Sequence, residues 1–481
     1  MSDAPTHTIV WFRQDLRVQD NPALAAAAAL GQPVIPVYIH APEEEGDWPP
    51  GGASCWWLFH ALAELREALG ETGLPLIIRR GDSRAQLLGL AADHGVSHVL
   101  WNRRYEPAAR ARDDAVEAAL GRAGVETRSF NASLLFEPAE LLNRSGQPFR
   151  VFTPFWKHLQ TQAVAAPVIV ATDQLRGPSD RVASEPLEQL QLLPDIPWDA
   201  GFYTQWQPGL EDAHRILAEF VGQPILAYRD RRDEPGVEGT SRLSPYLHWG
   251  QLGPRQVWRA VQESGAFDSN GGFTFLSEVA WREFAYHLLF HYPDTPTEPL
   301  QAAYRTFPWQ PDEHYLQAWQ RGLTGFPVVD AGMRQLWRSG WMHNRVRMIT
   351  ASFLVKHLLQ PWQDGARWFW DTLVDADLAN NTLGWQWTAG CGADAAPYFR
   401  IFNPMLQGAK FDPLGRYVRT WVPELARLPD AHIHQPWEAP EPVLREAGVR
   451  LGETYPHPVI GHREGRARAL EALARNKAAH R

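Results

Sequence analysis

Cysteine is nearly absent: Cys55 and Cys391 are the only two in 481 residues. That excludes a disulfide framework and a four-cysteine zinc site, and it fits a reducing compartment. No stretch approaches the ~18 uninterrupted apolar residues of a membrane helix. Met1–Ile9 carries polar residues where a signal peptide needs an apolar core, so a soluble, cytoplasmic chain without a membrane partner is expected. Positive charge is also short, with 46 Lys plus Arg against 55 Asp plus Glu, a net −9. Nucleic acid therefore cannot be held by bulk charge and would need a local basic surface. No G-x-G-x-x-G, Walker loop, G-x-S-x-G, C-x-x-C or H-E-x-x-H pattern occurs, which removes the usual dinucleotide, P-loop, hydrolase, thiol-redox and zinc-protease arguments. What is abundant is tryptophan, at 22 residues against 21 Phe and 12 Tyr.

Over the first 130 residues short β-rich runs (Thr8–Phe12, Val34–Ile39, Leu76–Ile78, His98–Trp101 and a weaker Val125–Phe130) alternate with helical patterns at Pro22–Leu30, Ser54–Leu69, Ser83–His94 and Pro107–Ala123. This rhythm predicts a Rossmann-like α/β domain, a mostly parallel sheet with helices on both faces. From Phe136 to about Trp206 periodicity fades and prolines accumulate, as in a surface connection. Beyond it the patterns are helical throughout. The expected division is an α/β domain over 1–135, a linker over 136–205 and an all-α domain over 206–481.

Four constellations carry possible chemistry. Thr240-Ser-Arg-Leu-Ser244 before Pro245 places hydroxyls at a helix start, an anion site or an ordinary N-cap. The second lies within Ala331–Gln363, which holds Arg334, Arg338, Arg345, Arg347 and Lys356 and no acidic residue. There the run Trp341-Met-His-Asn-Arg-Val-Arg-Met348 interleaves charge with apolar rings, as a phosphate-docking and base-stacking surface would, although a solvated helix face has the same pattern. Asp375-Ala-Asp-Leu-Ala-Asn-Asn381 precedes Trp385 and Trp387, suiting a polar ring system held by hydrogen bonds, or else a capped helix with core indoles. Glu278 and Trp281 share a helix face beside Arg282. His287 and His291 stand at a metal-like spacing without a third ligand, so they are read as structural and no metal is expected.

Taken in order, Trp11-Phe-Arg-Gln-Asp-Leu-Arg17, Gly239-Thr-Ser-Arg-Leu-Ser-Pro245, Trp341–Met348, Gly384-Trp-Gln-Trp387, Asp394–Pro404 and Tyr455-Pro-His-Pro458 resemble the photolyase/cryptochrome family over nearly the whole chain. Within it they are most similar to the microbial, class I-type enzymes that act on cyclobutane pyrimidine dimers. The resemblance implies a noncovalent FAD, active as FADH−, in the helical half. It would be held by Tyr228, by Thr240, Ser241, Arg242, Leu243 and Ser244 at the pyrophosphate, and by Asn344, Arg347, Asp375, Ala376, Asp377 and Asn381 around the ring. It also implies light-driven electron donation to a dimer flipped out of UV-damaged DNA. Asn381 would face flavin N5. Glu278, Trp281, Arg282, Asn344, Met348 and Trp387 would meet the lesion, and Arg232 and Arg345 its phosphates. Trp385, Trp362 and Trp309 match a three-indole chain that photoreduces oxidised flavin.

Asn344 and Met348 stand where related (6-4) enzymes carry histidines, which favours the cyclobutane lesion. An antenna pigment, deazaflavin or methenyl-folate, is possible in the α/β half. Ala108-Ala109 replaces the Asn-Glu pair of folate-binding relatives, and Arg104 departs from the deazaflavin pattern, so its identity stays open. A cryptochrome-like photoreceptor is the alternative, and a monomer is expected.

Overall fold

The computed structural model describes residues 6–480. Its first part alternates β1 (His7–Phe12), α1 (Pro22–Leu30), β2 (Val34–His40), α2 (Gly52–Glu71), β3 (Ile77–Arg80), α3 (Ser83–His94), β4 (Val96–Asn102), α4 (Pro107–Arg122) and β5 (Glu126–Phe130). All pairings are parallel and the strand order is β3-β2-β1-β4-β5. β1 and β2 are buried along their entire lengths, as apolar strands covered on both faces must be. The order of strand addition reverses at β1/β4, so a crevice opens outside the carboxyl ends of those strands. Helix starts follow local chemistry: Asn21 accepts the Leu24 N–H ahead of Pro22, and Asp82 accepts that of Ala85.

The segment after β5 is less plain than its composition suggests. It contains α5 (Phe152–Leu159), whose Phe152, Phe155 and Trp156 are buried, and a 3-10 run at Trp198–Thr204. Eight residues are too few for a clear periodicity, and it is packing that holds this helix in place.

The helical part comprises α6 (Leu210–Gly222), α7 (Tyr228–Arg231), α8 (Ser244–His248), α9 (Pro254–Glu263), α10 (Asn270–His291), α11 (Glu313–Gln320), α12 (Pro327–Ser339), α13 (Asn344–Ser352), α14 (Trp362–Thr372), α15 (Leu378–Ala389), α16 (Pro404–Phe411), α17 (Arg416–Trp421), α18 (Glu441–Ala447) and α19 (His462–Ala479). α13 gives way at Phe353 to a π turn, Phe353–His357, against which α19 packs. Six tryptophans (Trp11, Trp56, Trp57, Trp101, Trp319 and Trp362) are among the largest fully buried side chains, so core packing absorbs much of the indole surplus.

One arginine of the first motif, Arg17, joins the two parts. Arg17 donates to Gly250 O (2.8 Å) in the helical half and to Ala132 O (2.8 Å). Arg13 forms a buried pair with Asp113 at 2.9 Å.

Candidate functional site

The hydroxyl loop turns tightly. A Cβ on Gly239 would stand 2.4 Å from the Arg231 carbonyl, and Arg242 sits in the left-handed region at φ 53°. The Arg242 guanidinium lies over Trp206 (4.4 Å) and Trp341 (5.2 Å), and its buried Nε has no protein partner. Leu243 is buried, so only its backbone can meet a ligand. α8 is a single turn, hence the helix-dipole support expected at this loop is slight, and the hydroxyls and N–H groups remain as the anion donors. Tyr228 packs beneath, against Phe220 and Phe275.

The first turn of α13 and the α14–α15 junction make a second wall. Arg347 Nη2 donates to both oxygens of Asp375 at 3.0 and 2.8 Å, and the Asp375 side chain is 3% exposed. Asn344 at the start of α13 is exposed. Asp377 caps α15 by accepting the Asn380 N–H (2.8 Å) and receives the Tyr286 hydroxyl at 2.5 Å. Burial opposes its ionisation, but His248, Arg282 and Tyr286 together outweigh burial and hold the carboxyl below the usual carboxylate range. Asn381 Nδ2 donates to Ala366 O at 3.0 Å, which orients its Oδ1 as an available acceptor. Ala376 is buried and contributes backbone alone. Gly384, in mid-helix, faces open space.

This donor set fits a flavin dinucleotide. Hydroxyls and N–H groups suit a pyrophosphate, while amides and an Arg–Asp pair suit a ring edge that both donates and accepts.

Next to this wall lies a charged mouth. Trp281 stacks on Phe152 of α5 (3.8 Å, 10°). Glu278, on the same helix face, accepts from Arg232 Nη1. Burial lowers the basicity of Arg232, but the Glu278 pair overrides this and raises it. Arg345 is held bidentately by Asp233 (Nη2–Oδ2 2.7 Å, Nε–Oδ1 3.2 Å), lies over Phe411 at 4.5 Å and reaches Met348 Sδ at 3.7 Å. Trp387 is half-buried. Arg282 does not join this group. It donates to Ser133 O (2.6 Å) and Leu247 O (3.5 Å), toward the seam with the α/β half.

Trp385 and Trp362 are both buried in one core cluster, with half-buried Trp309 packed at its edge. Gly365 admits the Trp385 ring: a Cβ there would come within 2.0 Å of it. His287 Nε2 accepts the Phe149 N–H, and burial beside His291 pushes its pKa down to about 3. Among the described residues no group of three or more His, Cys, Asp or Glu could hold a metal.

The sheet crevice encloses about 50 Å³ between Arg13, Glu45, Trp48, Arg104, Arg112 and Trp370. Glu45 takes Arg104 at 2.6 Å and Arg112 at 3.3 Å, and Glu106 takes Arg104 at 3.2 Å. These charges satisfy one another, and they select neither antenna pigment.

Phe152, Asp233, Tyr286 and the α13 cap His343 were not foreseen. The first three meet their partners across long sequence separations and stand in none of the motifs, whereas His343 lies within Trp341–Met348 but acts through a backbone cap that the motif does not announce.

A parallel α/β half joined to a helical half with a pyrophosphate loop and a ring pocket defines a flavoprotein of the photolyase/cryptochrome type. Residues 8–171 match the DNA photolyase family model, and residues 275–475 match that of the FAD binding domain of DNA photolyase. The chain belongs to the DNA photolyase family. It is 48% identical to a deoxyribodipyrimidine photo-lyase of Agrobacterium fabrum over 98% of this chain and 99% of that one. It is 41% identical to Cryptochrome-1 of Arabidopsis thaliana over 97% of this chain and 70% of the relative. A bacterial class III photolyase structure from Agrobacterium tumefaciens superposes with a TM-score of 0.96 at 47% identity, covering 99% of both chains. That structure is described as class III, where the motifs had suggested the class I type. No helix among the described residues is long and apolar enough to cross a membrane.

Proposed function

We propose that this chain is a light-dependent DNA-repair enzyme, a deoxyribodipyrimidine photo-lyase acting on cyclobutane pyrimidine dimers in UV-damaged DNA. The observation that carries this is the double use of α13: Asn344 and Arg347 belong to the ring pocket, and Arg345, between them in sequence, reaches the mouth. A bound flavin and a bound strand would thus share one rigid element.

FAD, when bound and reduced, supplies light absorption and a transferable electron. Tyr228 and residues 240–244 hold its dinucleotide end. Asn344, Asp377 and Asn381, with the backbone at Ala376, hold the ring edge. The Arg347–Asp375 pair gives that edge a fixed charge pattern. At the mouth Glu278 offers hydrogen bonds to a base edge, Trp281 and Trp387 exclude water with apolar walls, and Arg232 and Arg345 meet phosphates. Asn344 and Met348, instead of histidines, suit a cyclobutane lesion, which needs no proton donor there. Trp385, Trp362 and Trp309 serve photoreduction.

The working division is 1–135, 136–205 and 206–481, in a cytoplasmic monomer.

The test is light-dependent loss of thymine dimers from an oligonucleotide with prereduced protein, beside a dark control and a (6-4) lesion. Repair of the cyclobutane lesion in light alone is expected. Bound, reducible FAD without repair would move the assignment to a cryptochrome-like photoreceptor, the reading to which 41% identity with an Arabidopsis cryptochrome lends weight.

A further inference from the structure

Two adjacent residues, Arg232 and Asp233, follow the single turn α7 and bind opposite walls of the mouth. Arg232 pairs with Glu278 of α10, and Asp233 pairs with Arg345 of α13. The carboxylate of Asp233 meets Arg345 through two parallel N–H···O contacts, the geometry with which a guanidinium also takes a phosphate. Phe411 covers one face of the same guanidinium. Arg345 is therefore already satisfied in the protein alone, by a group that any DNA backbone must displace. The pair can exchange: its side chains are 19% and 34% exposed, so neither charge is stranded when the contact opens.

We propose that Asp233 is an internal stand-in for phosphate that weakens the binding of any DNA backbone at Arg345, so that only a strand with further contacts in the pocket is held. This rests on the photolyase reading above. An undamaged strand gains one phosphate contact and loses the Asp233 contact, while Asp233 also repels neighbouring phosphates. A strand carrying a dimer opens the same pair, and base contacts in the pocket with Glu278 and Trp281 offset that loss. Asp233 then sets the absolute affinity, equally for both strands, and the base contacts set the preference for the lesion.

The test is fluorescence anisotropy under red light, with FAD-loaded protein and short duplexes with and without one thymine dimer, across a salt series. Asp233→Asn is expected to tighten both duplexes about fivefold with the lesion preference unchanged, and to steepen the salt slope of each by about one. Asp233→Ser, which removes the bidentate acceptor differently, is expected to act in the same direction. In an Arg345→Ala background the Asp233→Asn effect should shrink to the small part owed to repulsion of neighbouring phosphates. Unchanged undamaged-DNA affinity in both Asp233 variants would overturn the proposal, as would equal tightening with and without Arg345, which would indicate bulk charge alone. A wild-type protein that holds FAD but shows no lesion preference would overturn the photolyase reading and this proposal with it. A lesion-preferring wild type with unresponsive Asp233 variants would overturn the proposal alone.

Discussion

At the carboxyl ends of the strands, Arg13, Arg104 and Arg112 meet Glu45, Glu106 and Asp113 through side chains only 5–15% exposed. At the helical mouth, Arg232 and Arg345 meet Glu278 and Asp233 at 18–34%. The residue types are the same, but the consequences differ. In the sheet crevice each charge has given up water and depends on its partner, so opening a pair strands an ion in low dielectric. At the mouth water can replace either partner, so the same ions can be handed to a ligand. The ring pocket combines the two, since Asp375 is 3% exposed and Arg347 25%. Burial, more than the count of arginines, separates a charge that holds the fold from one that binds.

The sharpest break of this comparison is Arg347→Ala. It leaves the buried Asp375 carboxylate unpaired, and a loss of about 3–5 kcal/mol is expected, with FAD lost in step. Denaturant unfolding of the apo form and flavin content after gel filtration check it separately. Stability within about 1 kcal/mol of wild type would place Asp375 among the solvent-exchangeable groups. Next comes Glu45→Gln, which removes the carboxylate shared by Arg104 and Arg112. Burial opposes Glu45's charge, yet the two arginines prevail and hold its pKa below normal, so the charge is in use. A loss of about 3 kcal/mol is expected with no change in the salt slope of DNA binding. A changed slope would show that the two crevices communicate.

What could be read in advance divides along similar lines. α1 and α3 were expected with the boundaries they have, because Asn21–Pro22 and Asp82–Ser83 write the start of each helix into adjacent residues. Strand ends shifted by one or two residues, as at Leu76, where pairing with β2 begins only at Ile77. α5 and the π turn at Phe353 stayed hidden, since neither has a local signal and both are held by neighbours. In the site, the flavin-side residues sit in short, ordered motifs. The pairings that give them charge and shape do not: Asp233 reaches Arg345 across 112 positions, and Phe152 reaches Trp281 from a segment with no periodicity. Tertiary contact decides those, and single-sequence patterns carry no record of it.

Indoles sharpen the contrast on a smaller scale. Trp101 packs edge-on to Trp11 in the sheet half, whereas Trp385 lies in the core cluster of Trp362 with Trp309 at its rim. Trp385→Phe is expected to slow photoreduction of oxidised flavin at least about tenfold, which is 1.4 kcal/mol of barrier. Repair by prereduced protein should persist, and Trp101→Phe should leave photoreduction unchanged. Equal photoreduction in the Trp385 variant would remove that indole from the electron route. This is measured from the growth of reduced-flavin absorbance under blue light.

The smallest effect concerns His343, the cap of α13, whose Nδ1 accepts the Arg345 N–H at 3.2 Å. Only a neutral imidazole can accept there. Burial first, then the charges of Arg345, Arg347 and Arg232, push its pKa down to about 4 against the opposing pull of Asp233. The unfolded chain takes up this proton near pH 6.5, the folded chain only near 4. Stability from the cap is therefore complete above about pH 6.5 and falls as pH drops toward 4, by about 1 kcal/mol between pH 7 and 5.5. Asn also caps well but does not titrate, so His343→Asn should remove that part of the acid slope in thermal unfolding while changing stability little at pH 7.5. Some slope will remain, because His287 and His357 are buried and pushed down to about 3 and act with the same sign. Coincident slopes in variant and wild type would acquit the cap. A flattened slope would show that the cap at the turn presenting Asn344 to the ring pocket and Arg345 to the mouth carries its own share of the acid sensitivity of the fold.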